Sequence, residues 1–259
     1  MAHFPKFLRL LLTLLALQFL NLETARAEEN VEPRFVLFVG VDISGSFLRG
    51  RYFKDSIHFL ANYLYGHVNG LGDMEQAQYL FVGSIGGAKP GEPKTFFPIE
   101  TFQNKNVKEI EVELNSIFPR NKENPITDFN AFFVQISEFV RNRSLSMRPI
   151  GVVMLSDGFP SLNPSDKKPD FKSITLEPLE NLSRNVTLRV LYTKADIAMG
   201  WATLVPRNRV KVWSQDDRVM STWKDPKIFL PKTKFDKQER FFSWLKNNVD
   251  FPVQSRTVK

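Results

Sequence analysis

The chain has 259 residues and no cysteine. That excludes disulfides, a lipid-modified N-terminal cysteine and any thiolate metal site, so its stability must come from packing. Histidine is scarce too, with three in all. His58 falls on a predicted helix and His67 in the glycine-rich segment after it. Neither follows a strand, and no Gly-x-Ser-x-Gly occurs, so a Ser-His-Asp hydrolase is not indicated. Both histidines read as surface or helix-end residues. Ser165-Asp-Lys-Lys168 matches Ser-x-x-Lys, but it sits in a charged loop. No basic stripe interleaved with aromatics is present, so nucleic acid is not an expected partner. Beyond the first 27 residues no apolar run is long enough to span ~30 Å of hydrocarbon, and no stable membrane span is expected.

The N-terminus has a different character. Lys6 and Arg9 lead into the apolar run Leu10–Leu17, and Ala25-Arg26-Ala27 follows. A positive start, a short apolar stretch and an Ala-x-Ala end describe a secretory signal peptide over residues 1–27, cleaved after Ala27. The expected location is periplasmic or secreted, and the lack of cysteine favours a bacterial envelope. The whole chain carries a formal net charge of +7; losing Lys6, Arg9, Arg26 and Glu23 with the leader lowers it to +5. Such a balance suits acidic partners, although a solvated basic exterior is its ordinary meaning. Three Asn-x-Ser/Thr sequons, at Asn142, Asn181 and Asn185, matter only in a host that glycosylates.

After a polar leader, residues 28–34, comes Phe35-Val-Leu-Phe-Val-Gly-Val41, which does not alternate. A continuous apolar run of this length predicts a strand buried on both faces, as in a parallel sheet. It stops at Asp42-Ile-Ser44-Gly-Ser46. A carboxylate and two hydroxyls at alternate positions, on a turn held open by Gly45, can aim three oxygens at one point. Hard oxygen donors at the carboxyl end of a strand suit Mg²⁺, Mn²⁺ or Ca²⁺.

Downstream, apolar residues at helical spacing predict helices over Tyr52–Tyr65, Val107–Ile117 and Phe129–Arg141, with a further one closing the chain at Phe235–Val249. Gln78–Ile85 and Lys94–Ile99, joined by a loop of turn residues, predict an antiparallel hairpin. Ile150–Ser156 is a second continuous apolar strand, and it too ends at a carboxylate, Asp157-Gly158. A helix around Leu176–Leu182, a strand over Val186–Tyr192, a short helix at Ala195–Leu204 and a strand at Val210–Trp213 complete the pattern; Ser214–Lys234 reads as irregular and basic. Strands alternating with helices predict an α/β fold: a doubly wound, mostly parallel six-stranded sheet, helices on both faces, one antiparallel edge strand. Residues 35–249 are expected to form one domain, with a tail at 250–259. Trp201, Trp213 and Trp223 offer either a sugar- or peptide-binding surface or ordinary packing against the sheet, packing being the more usual use.

In open parallel sheets, ligands sit beyond the carboxyl ends of the strands where strand order reverses. Asp42 and Asp157 both end strands, and a third loop offers Thr127 before the Phe129 helix. This set resembles the metal-ion-dependent adhesion site (MIDAS) of the von Willebrand factor A (vWA) family, which uses Asp-x-Ser-x-Ser, a Thr from a second loop and an Asp from a third, usually in Asp-Gly. The resemblance covers about Phe35 to Val249. It implies metal ligation by Asp42, Ser44, Ser46, Thr127 and Asp157, a Mg²⁺ (or Mn²⁺ or Ca²⁺) cofactor, and no catalysis. It also implies a partner protein that supplies an acidic residue, an acidic glycan being the other anionic candidate. Thr127 departs from the family pattern: its neighbours are Pro125, Ile126, Asp128 and Phe129 rather than small residues. Asp128 is placed either to cap the following helix or to add charge near the metal. The segments 159–171 and 194–234 have no counterpart that the family explains.

Overall fold

The computed structural model describes residues 34–250; the leader expected at 1–27 and the tail after Asp250 lie outside them. Its strands are β1 (Phe35–Asp42), β2 (Ala77–Ile85), β3 (Phe97–Pro98), β4 (Ile150–Leu155), β5 (Val186–Thr193) and β6 (Lys211–Asp216). They form one six-stranded sheet in the order β3-β2-β1-β4-β5-β6. All pairings are parallel except β2 with β3. The sequence therefore predicts the doubly wound architecture and its antiparallel edge. Strand order reverses between β1 and β4, and that places the ends of these two strands side by side.

The helices are α1 (Gly45–Leu48), α2 (Phe53–Asn69), α3 (Val107–Ile117), α4 (Phe129–Asn142), α5 (Glu177–Glu180), α6 (Ala195–Thr203), α7 (Asp217–Met220) and α8 (Glu239–Asn248). None of the described helices is long and apolar enough to cross a membrane. Alternation along the buried strands divides the core in two. Leu37, Val39 and Val41 join Val153 and Leu155 under Phe59 and Leu64 of α2, Ile110 and Leu114 of α3, and Phe241 and Leu245 of α8. Val36 and Phe38 join Val152 and Met154 under Phe132, Phe133 and Ile136 of α4 and Trp201 of α6. Each such side chain contributes ~1.5–3 kcal/mol on burial, and it is this two-sided burial that makes β1 and β4 read as unbroken apolar runs. At Gly40 a Cβ would stand 2.7 Å from both Ile85 and the Phe132 ring, so the glycine lets α4 lie close against β1.

Local departures from the sequence reading have physical causes. β3 is two residues long, not six: Pro98 has no N–H to give a ladder, and Ile99 turns at once into a 3₁₀ helix. α2 runs four residues further than its apolar spacing suggests and stops at Gly70, whose φ of 59° supplies the left-handed cap. His67 therefore lies in the last helical turn, 2% exposed, instead of in a loop. Its ring nitrogens meet the Glu75 carbonyl (2.8 Å) and the Asp250 carboxylate (3.2 Å). The final helix begins after a 3₁₀ turn at Phe235–Lys237. The segment expected to be irregular from Ser214 carries the end of β6, then α7 and a 3₁₀ turn at Ser221–Lys224. Met220 and Trp223 from it enter the core, and Trp223 Nε1 and Tyr192 Oη both donate to Asp55 of α2, at 3.3 and 3.0 Å.

Candidate metal centre

Asp42 closes β1 and has no exposed surface. Two residues hold its carboxylate. The Ser44 amide donates to Oδ1 at 2.8 Å, which folds the chain back on itself. The Ser156 hydroxyl, at the end of β4, donates to Oδ2 at 2.6 Å. Ser156 Oγ in turn accepts the Gly158 amide at 2.9 Å, so one serine fixes the first carboxylate and the turn that carries the second. Ser44 and Ser46 have their hydroxyl oxygens 3.3 Å apart. Ser44 is buried and Ser46 exposed, so the cluster runs from a sealed floor at Asp42 to an open mouth. Asp157 is half-buried at that mouth; its Oδ1 accepts the Phe159 amide at 3.1 Å, and Ser46 bonds it as well.

The electrostatics suit a cation. Burial, and then the neighbouring Asp157 charge, push the Asp42 carboxyl up to about 7, against the bonds from Ser156 and Ser44. Burial also raises Asp157, opposed by the Phe159 amide, the Ser46 hydroxyl and the Lys194 charge. Two carboxylates held away from water, one raising the proton affinity of the other, beside three hydroxyl-bearing side chains, form a hard-oxygen donor set that fits a small divalent ion. Among the described residues no group of three or more His, Cys, Asp or Glu suited to a metal occurs. An ion here would be held by two carboxylates and neutral oxygens.

Thr127, 2% exposed, comes from the irregular segment between α3 and α4. That segment is tied to the Asp42 loop through Asn124, whose amide donates to the Ile43 carbonyl (2.8 Å) and whose carbonyl accepts the Gly45 amide (3.2 Å). It is tied to the Asp157 loop through Thr127 itself: its amide donates to the Ser161 carbonyl at 2.7 Å and its carbonyl accepts the Ser161 amide at 3.3 Å. All five residues picked from sequence thus lie on segments stitched together at the carboxyl ends of β1 and β4.

Sequence reasoning missed several residues that shape this end. Ser156 looked like the last residue of a strand, and nothing in a sequence separates that from a bridging hydroxyl. Trp201 is fully buried, with its indole N–H donating to the Gly158 carbonyl at 2.8 Å; of the three late tryptophans only Trp213, at 43%, is exposed. β5 bulges at Tyr192, whose φ of 76° is rare for a bulky residue. The bulge sets Thr193 against Gly158 and delivers Lys194 beside the site. Asp128 caps α4 through Ala131, the first of the two roles its position suggested.

No family model and no curated protein matches the chain. Among solved structures it is similar to the human COPII-coat protein Sec24c, at 12% identity and TM-score 0.42 over 70% of this chain and 30% of that one. It is also similar to proximal thread matrix protein 1 of the mussel byssus, described with a zinc-occupied MIDAS motif, at 12% and 0.44 over 72% and 45%. The VWA domain of SpRpn10 follows at 11% and 0.39, over 70% and 88%. The chain spans less than half the length of the first two. The fold is vWA-like. The likeness is one of architecture: the strand order, the antiparallel edge strand and the switch point at β1 and β4.

Proposed function

We propose that this chain is an exported, non-catalytic binding module that grips an acidic residue of a partner protein through a divalent metal, Mg²⁺ being the first candidate. The observation that carries the reading is the buried Asp42, linked by Ser156 to the Asp157 turn and close enough to that second carboxylate to feel its charge, with Ser46 bonded to Asp157. When bound, the dication would lower the repulsion between these carboxylates and, with most of its ligands neutral, keep positive character for an anionic oxygen from outside. Asp42, Ser44, Ser46, Thr127 and Asp157 would hold it, with Ser46 and Asp157 at the mouth where a partner arrives.

The surroundings support an acidic partner. Lys89, Lys122, Lys167, Lys168 and Lys194 are exposed on loops at this end of the sheet. Of the nearby acids, Glu92 is paired with Lys94 and Glu123 with Arg49, while Asp166, Asp170 and Asp196 oppose the five lysines. Such a field steers and selects more than it tightens. The histidines speak against catalysis here. His58 is exposed on α2 against Glu111. His67 lines a cavity with Phe35 and Ile150, at the amino ends of β1 and β4, the far end of the sheet from Asp42.

The test is capture of partners from the exported fraction of the source cell by immobilised wild-type, Asp42→Ala and Thr127→Ala chains, in Mg²⁺ and in EDTA. The reading requires a protein retained by wild type in Mg²⁺ and lost in EDTA and on both variants. Equal retention in all arms would leave the site with a structural role and overturn the adhesion reading. N-terminal sequencing of the exported protein should begin at Glu28; a retained Met1 would refute the export signal.

A further inference from the structure

Residues 119–126, which lead to Thr127, hold no regular helix or strand, so Thr127 depends on its fastenings. Ser161 supplies one. The other begins at Asp128, 7% exposed, whose two carboxylate oxygens are both engaged. Oδ1 accepts the Ala131 amide at 2.9 Å and caps α4; Oδ2 accepts the Gly91 amide at 2.9 Å. Gly91 belongs to the loop 86–93, which leaves β2 at the carboxyl end of the sheet. Ala88, Lys89, Pro90 and Gly91 are exposed, so burial does not order the tip of this loop. Carboxylates do: Glu92 accepts the Ala88 amide at 2.5 Å, and Asp128 takes that of Gly91. Gly91 has a φ of 72° with nothing within 4 Å of where a Cβ would stand, so it serves the turn and not packing. The loop also touches the Thr127 segment directly, the Gly87 amide donating to the Ile126 carbonyl at 3.4 Å.

We propose that Asp128 is a positioning residue for the metal centre. Its carboxylate ties the 86–93 loop to the start of α4, and the backbone of Thr127, one residue before it, is held in register by that tie. Both its oxygens point at amides, so it acts through Thr127 and adds no ligand. The inference rests on the metal reading given above. It also gives the loop a function: an exposed turn with no apolar anchor helps hold a ligand loop that lacks secondary structure of its own.

Asparagine separates the two bonds. Asp128→Asn keeps one acceptor oxygen, enough for the α4 cap, where Asn ranks with Asp, and turns its NH₂ toward an amide that needs an acceptor. Asp128→Ala loses both. Asn106→Ala serves as a control, because it removes a comparable cap from α3 away from the site. Amide exchange of the metal-free chain and Mn²⁺ titration are measured on all four proteins. For Asp128→Asn the expected result is near wild-type melting, faster exchange in residues 86–93 and 126–127, and Mn²⁺ affinity weaker by about tenfold or more, as loss of one charge-assisted bond implies. Asn106→Ala should melt lower and bind Mn²⁺ as wild type does. Wild-type exchange and affinity in Asp128→Asn would overturn the proposal. Absence of Mn²⁺ binding by wild type would overturn the metal reading instead, with the exchange rates alone then deciding whether Asp128 fixes Thr127.

Discussion

Asp42 has no exposed surface and no full cationic partner, and its neighbour across the switch point is another carboxylate. A carboxyl pushed up to about 7 holds its proton more tightly in the folded chain than in the unfolded one. Its contribution to stability is therefore complete below about pH 4 and is lost as pH rises through about 7. Melting of the metal-free protein in EDTA should fall over that window, and saturating Mg²⁺ should remove much of the fall, because the ion replaces the proton. Asp42→Asn should flatten the EDTA profile and raise melting at pH 8 while abolishing the Mg²⁺ shift. A variant that is more stable and no longer binds is what a functional carboxylate leaves behind; an Asp42→Asn protein less stable than wild type in EDTA at pH 8 would contradict this. Ser156→Ala removes a donor from a buried carboxylate and an acceptor from the Gly158 amide. It should cost about 1–3 kcal/mol in urea denaturation and weaken metal binding as well.

At the scale of elements, the turn after β4 is the part most narrowly specified. Gly158 has a φ of 77°, and a Cβ there would stand 2.9 Å from Thr193 and 3.0 Å from Ile197 and the Trp201 indole nitrogen. Gly158→Ala should therefore destabilise by at least ~1 kcal/mol and displace Asp157, which Mn²⁺ titration would register as lost affinity; unchanged affinity would show that Asp157 is not a ligand. Sequence periodicity made β1, β4, α2, α3 and α4 legible, because burial on one or two faces imprints its period directly. Asp42 and Asp157 were legible as the residues that break apolar strands. What escaped was set by contacts distant in sequence or by backbone conformation: the Ser156 bond to Asp42, the Trp201 bond to Gly158, the Tyr192 bulge and the helical end that buries His67. Ser214–Lys234 looked irregular because, after the end of β6, its elements are single turns, ordered by putting Met220 and Trp223 into the core and not by any periodicity.

At the scale of the whole molecule, a basic chain without cysteine has built a core on both faces of a mostly parallel sheet and gathered the oxygens that fit a metal at one end. The His67, Tyr63 and Arg189 contacts to Asp250 secure the opposite end, where α8 returns to α2 and β5. Metal and partner should each strengthen the other's binding, since linkage is reciprocal. Everything claimed for this surface depends on one ion binding at Asp42. The direct measurement is calorimetric titration of Mn²⁺ and Mg²⁺ into the full chain at pH 8, beside the Asp42→Ala variant. One site per chain in the wild type, and none in a variant that still folds, is the predicted result. Equal binding by both proteins, or by neither, would contradict it.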